Sequence, residues 1–244
     1  MWNTYADAEY DKLCGIFFNT THEKLHMKKI FKNNGLSIVF FLLFIISLAG
    51  QVVMGLKEHN QQMQDEGGKV LNMSSYLLSG HFLQSTFENW ESEFLQMALF
   101  LILSMFLYQK GSSESKDPDK EEEVDRQPNP KRKNAPWPVK KGGIMLAIYK
   151  HSLCYALSLI FLLSFFLHWY GSLKDYNEEQ ALKRMPSETF TQYLSNSRLW
   201  FESFQNWQSE FLSIFAIVVL SIFLREKGSP QSKPVDAPNA ETGG

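Results

Sequence analysis

The sequence predicts an all-α integral membrane protein, with four transmembrane helices built as two tandem two-helix repeats in parallel orientation. Three observations predict it. Long uncharged apolar runs alternate with charged segments, a nine-residue motif returns 117 residues after its first appearance, and basic residues are shared unequally between alternate segments. Whole-chain averages hide this, because 244 residues at 44% hydrophobic, 20% charged and formal net charge −2 describe an ordinary soluble domain until the chain is read by segment.

Residues 1–27 have no counterpart later in the chain and read as an N-terminal cytoplasmic extension. The first repeat, 28–110, opens with a span at 35–56, where 22 positions carry no charge. A helix needs roughly 20 apolar residues, at about 1.5 Å each, to cross the ~30 Å hydrocarbon layer. This run starts too late and extends too far for a cleaved signal peptide, so it is expected to remain as an anchor. Ser47, Ala49, Gly50 and Gly55 within it permit close helix approach. The second span is placed at 89–108. Its uncharged stretch, Phe94 to Tyr108, is 15 residues long, so the helix must reach outward to Asn89 to fill the membrane.

Residues 111–143, with five prolines, an acidic run at 121–123 and then a basic cluster, read as a disordered cytoplasmic linker. The second repeat, 144–227, carries spans at 152–170 and 206–224, and 228–244 reads as a disordered tail. Eighteen of the 24 Lys and Arg residues lie before the first span, in 109–150 or after 224, and six lie in the two intervening segments. By the positive-inside rule both termini are cytoplasmic in an inner, or plasma, membrane. Cys14 and Cys154 then face the reducing side and are expected as free thiols, without a disulfide framework.

The duplication pairs Phe87-Glu-Asn-Trp-Glu-Ser-Glu-Phe-Leu95 with Phe204-Gln-Asn-Trp-Gln-Ser-Glu-Phe-Leu212, and at that offset 16 of the 30 positions from 87 to 116 are identical. It continues through Lys110-Gly111-Ser112 and Ser115-Lys116, and reaches back to Tyr76-Leu77 on Tyr193-Leu194. Two spans per unit is an even number, so equivalent residues are expected at equal depth around an axis normal to the membrane. The twice-repeated Asn-Trp-x-Ser-Glu-Phe-Leu motif, the Lys-Gly-Ser-x-x-Ser-Lys that follows, and Asn34 to Ile38 resemble an uncharacterised bacterial family of multi-span membrane proteins, described as a domain of unknown function. The resemblance covers about residues 28 to 238 and implies a membrane fold; it carries over no activity and no site residues.

Chemistry is expected where the motif enters the membrane edge. Asn89, Ser92, Glu93 and Gln96 fall on one polar helix stripe, and Asn206, Ser209 and Glu210 repeat it. Either Glu93 and Glu210 stay in headgroup water while the Asn and Ser residues bond helix to helix, or both stripes meet at the axis and the two carboxylates form an outward-facing site for a cation or proton. Trp90, Trp207, Trp169 and Tyr170 read as interface anchors. His81 and Arg198 occupy equivalent positions and are ion-pair candidates for the motif glutamates. His168 has no second ligand at metal spacing, so neither a metal nor another cofactor is expected. Catalytic signatures are absent from the sequence, which argues against an enzyme, and near-neutral charge argues against a nucleic-acid partner. The leading expectation is a non-enzymatic scaffold, sensor or envelope-associated interaction protein, partnered by the lipid bilayer and by a membrane protein or a second copy. The alternative is a small cation or proton transporter or channel using Glu93 and Glu210.

Overall fold

The structure, a computed structural model, describes residues 3–243. Among these residues it is all helix, with no strand. The first unit, through Gln61, lies within the helix α1, Asn3–Asp65, whose last four residues belong to the second unit. The expected cytoplasmic extension, from Asn3, and the span at 35–56 are thus one continuous helix, and Leu36 and the large apolar side chains from Val39 to Ile46 are exposed.

The second unit begins at Gln62. Its short helix α2, Met73–Tyr76, is capped by Asn72, whose side chain accepts from Ser75 N–H. Ser79 caps α3, Gly80–Ser104, by accepting from Phe82 N–H. After the linker come α4, Trp137–Lys141, with proline in its first turn, and α5, Gly143–Lys150. The two are separated by Gly142, whose φ of 69° suits only a residue without a Cβ. Helix α6 runs Ser152–Leu182, twelve residues beyond the expected span end at 170. Helix α7, Phe190–Tyr193, opens on a capping box made by Thr189 and Gln192, and Asn196 caps α8, Ser197–Phe223. The starts of α2 and α7, and of α3 and α8, are each 117 residues apart, at 73 and 190 and at 80 and 197.

Among the described residues three helices are long and apolar enough to cross a membrane: residues 29–65 of α1, α6 and α8. They contain the first, third and fourth expected spans. Helix α3, the second expected span, has 25 residues but holds Glu88, Glu91 and Glu93, and it ends at Ser104 rather than 108.

In this unit α3 packs against both α6 and α8. Glycine sets the first contact. A Cβ on Gly80 would lie 2.3 Å from Asp175 N and 2.8 Å from Gly171 O, and one on Gly171 would lie 2.5 Å from Gln84 N. The α3 and α6 backbones therefore cross with no room for a methyl group, as small residues allow in membrane packing.

The segments expected as disordered carry order that composition does not reveal. The Lys-Gly-Ser-x-x-Ser-Lys turns repeat one pattern: Gln109 N–H donates to Ser115 Oγ at 2.8 Å, and Glu226 N–H donates to Ser232 Oγ at 2.9 Å. Buried Ser112 and Ser221 pair at 2.9 Å, and the Lys233 ammonium donates to the carbonyls of Gly111, Pro238, Asn239 and Glu241. Polar side chains bonded to backbone hold these turns without an apolar run to announce them.

Candidate functional site

Next to the glycine crossing, α3, α6 and α8 enclose a network of charged side chains. Gln84, Glu88 and Glu91 follow one another at four- and three-residue steps on α3, which puts them on one face. Across from them α6 contributes His168, Ser172, Asp175 and Glu179, and α8 contributes Arg198, Glu202 and Trp207.

His168 is fully buried and sits between two carboxylates: Nδ1 is 2.5 Å from Glu91 Oε2 and Nε2 is 3.1 Å from Glu202 Oε2. Only the doubly protonated ring donates to both. Glu91 is also fully buried, and its second oxygen accepts from the Trp207 indole N–H at 2.9 Å. Glu202 accepts four hydrogen bonds, from His168, from Ser172 Oγ at 2.6 Å, from Gln84 Nε2 at 2.6 Å and from Arg198 Nε at 2.9 Å. Those donors fill its four lone-pair positions. Since Ser172 spends its proton on Glu202, the Tyr193 hydroxyl donates to Ser172, at 2.7 Å. Burial pushes the Tyr193 phenol well above its ordinary range and keeps that donor protonated.

Arg198 closes the end nearer the glycine crossing, with Nη1 to Glu179 at 2.7 Å and Nη2 to Asp175 at 2.6 Å and to Gln84 Oε1 at 3.3 Å. Glu88 completes the cluster, facing His168, Glu202 and Glu91 electrostatically. One guanidinium, one imidazole and the Lys183 ammonium, 3.3 Å from Glu179, therefore meet five carboxylates, those of Glu88, Glu91, Asp175, Glu179 and Glu202, of which Glu91 and Asp175 are buried and the others half-buried. Such an excess of negative charge in a partly desolvated cluster is costly unless a proton or cation offsets it. Ligand atoms of Glu88, His168 and Glu202 lie within 4.8 Å of one another, the one grouping of metal-binding side chains found among the described residues.

The residues singled out from sequence are distributed as follows. Glu93 and Glu210 interact electrostatically, Glu93 exposed and Glu210 half-buried. Asn89 and Asn206 donate to carbonyls one turn back, Ser85 O and Glu202 O, while Ser92 and Ser209 donate to the carbonyls of those two asparagines. The expected helix-to-helix bonds are replaced by bonds within each helix. Gln96 is buried. His81 pairs with the Tyr76 hydroxyl at 3.1 Å, and Arg198 with Glu202, Glu179 and Asp175 rather than with the motif glutamates. Trp169 stacks on Phe190 at 3.7 Å, Tyr170 is exposed, and Trp90 and Trp207 meet Phe87 and Phe204 edge to face. Cys154 is a free thiol; the side chain of Cys14 lies outside the described residues.

Sequence reasoning passed over Glu88, Glu91 and Glu202 because they break the repeat. Glu88 and Glu91 are replaced by Gln205 and Gln208 in the second copy, and Glu202 answers to Ser85 in the first. Charged residues at the mismatched positions of a duplicated apolar hairpin are the signal that finds them.

Helices of membrane-spanning length and composition, joined to a buried acidic network, define an all-helical protein of membrane type. The chain belongs to the family described as DUF6766, a domain of unknown function, whose model matches residues 27–244. No curated protein and no solved structure matches it.

Proposed function

We propose that this chain is a non-enzymatic, four-crossing inner-membrane protein of two tandem hairpins, with both termini cytoplasmic, that takes protons or cations into an acidic site open to the outer side. The observation that carries the reading is His168, fully buried between carboxylates from two other helices, at the outer end of an apolar helix. Ionisable groups at membrane depth are expensive, and their presence favours a role in moving or sensing charge.

The hairpin pairing is supported by the 117-residue offset between helix starts and by the repeated Ser115 and Ser232 turns. A crossing by α3 is supported by its length, about 37 Å at 1.5 Å per residue, and by Glu88 and Glu91 being turned toward helices rather than lipid. The Glu93 and Glu210 pair lies about 8 to 12 Å further along α3 and α8 than Glu88 and Glu202, and serves as a second station. The scaffold role favoured by sequence presents the outer helices and the repeated motif to lipid or protein, whereas Trp207 of that motif spends its N–H on Glu91.

The test is flux across reconstituted vesicles, read with a pH-sensitive dye and with dyes for mono- and divalent cations. Wild type is expected to conduct above empty vesicles, with Glu202→Gln, and separately the pair Glu93→Gln and Glu210→Gln, lowering the rate at least about tenfold. Wild-type vesicles no leakier than empty ones, or variants as active as wild type, overturn the proposal.

A further inference from the structure

We propose that Glu88, His168 and Glu202 bind a divalent transition-metal ion of the Zn²⁺ or Mn²⁺ class, with Glu91 as the positioning residue for the imidazole. The inference rests on the reading of this cluster as a cation site and names the ion it selects.

The geometry is that of a metal site carrying a proton in the metal's place. In metal centres a ligating histidine donates its other ring N–H to a carboxylate, which fixes the tautomer and the ring plane. Here Glu91 does this at Nδ1, is itself held by the Trp207 N–H, and leaves Nε2 as the ligating atom. Nε2 and Glu202 Oε2 lie 3.1 Å apart. Two bonds of about 2.0–2.1 Å at the tetrahedral angle place their ligand atoms about 3.4 Å apart, so an ion enters between them with roughly 0.3 Å of widening. It displaces the Nε2 proton and neither partner. Glu88, within 4.8 Å of both, supplies a third ligand and leaves a position for water or exchange. The second Glu202 oxygen stays anchored by Arg198 and Gln84, which supports a ligating carboxylate as Glu91 supports the ring.

Charge and ligand type set the class. The five carboxylates outnumber Arg198, His168 and the Lys183 ammonium, so a dication entering as a proton leaves lowers the net negative charge of the cluster. An imidazole with two carboxylates suits Zn²⁺, Mn²⁺ and Co²⁺, whereas Ca²⁺ and Mg²⁺ want oxygen alone.

The experiment titrates the full chain in detergent micelles with Co²⁺, whose visible d–d absorption reports its ligands. Expected are one Co²⁺ per chain, displacement by Zn²⁺ but not by Ca²⁺ or Mg²⁺, and loss of the bands in His168→Gln and Glu202→Gln. Glu91→Gln should weaken binding roughly 10- to 100-fold, while Glu121→Gln, at an exposed position of the linker, keeps wild-type affinity. X-ray absorption of wild-type protein loaded with Zn²⁺ should show a shell of one imidazole and carboxylate oxygens, a readout that needs no variant to fold. Wild type without Co²⁺ bands, a shell lacking imidazole, or Ca²⁺ competing as well as Zn²⁺ overturns the site. Vesicles that conduct protons through Glu202 while the protein binds no Co²⁺ sink the metal site alone. Protein that binds Co²⁺ at His168 while its vesicles conduct nothing keeps the site and sinks the transport role.

Discussion

Replacing Gly80 by alanine should destabilise the protein although alanine is the better helix former. In an exposed helix the change is worth about 0.5–1 kcal/mol in alanine's favour. At position 80 the new methyl carbon would stand 2.3 Å from Asp175 N and 2.8 Å from Gly171 O, where ordinary contact begins near 3.4 Å. Both obstacles are backbone, so α3 and α6 must part by about 1 Å. The same two helices carry the 2.5 Å bond between Glu91 and His168, which that displacement would stretch to about 3.5 Å, past useful hydrogen bonding. Overpacking of this kind costs roughly 1–3 kcal/mol. At ~2–4 °C per kcal/mol for a chain of this size, the apparent Tm in detergent should fall by roughly 3 to 10 °C. Gly171→Ala, with Gln84 N at 2.5 Å, should behave alike, whereas Gly50→Ala, with nothing within 4 Å, should match wild type or rise slightly. A Gly80→Ala protein as stable as wild type, or more so, would refute the idea that this crossing positions the site.

Two further outcomes follow from single hydrogen bonds. Trp207→Phe keeps the ring but removes the N–H that holds buried Glu91 Oε1, and should cost about 1.5–3 kcal/mol, read as a lower unfolding midpoint; an unchanged midpoint would mean that the bond contributes nothing. Lys233→Met should free the residues around Gly111 and the chain end, because four carbonyls lose one ammonium, and limited proteolysis should cut residues 228–243 roughly ten times faster; unchanged cleavage would contradict that role.

How much of this was legible in the sequence depends on the length scale of each feature. The uncharged runs at 35–56, 152–170 and 211–224 fall on helices of membrane-crossing length because burying backbone in apolar surroundings demands them. The expected spans at 89–108 and 206–224 start nine residues inside α3 and α8, because the caps that open these helices, Ser79 and Asn196, lie in polar sequence ahead of the apolar runs. The site was harder to see. Identity between copies drew attention to Glu93 and Glu210, whereas the buried network uses Glu88, Glu91 and Glu202, where the copies differ.

Sequence alone determined where the apolar stretches of the helices lie, because hydrophobicity acts over a few residues, whereas the turns at 109–115 and 226–232 are held by side-chain bonds that composition does not announce. Tertiary structure decided which acid meets which base. Glu91 finds His168 and Trp207 across 77 and 116 residues, and the rotation of α3 that brings them together is fixed by the backbone contact of Gly80 and Gly171 with α6 and α3, not by any periodicity along one helix. A helix pattern specifies a face, and the partner of that face exists only once another helix has packed against it.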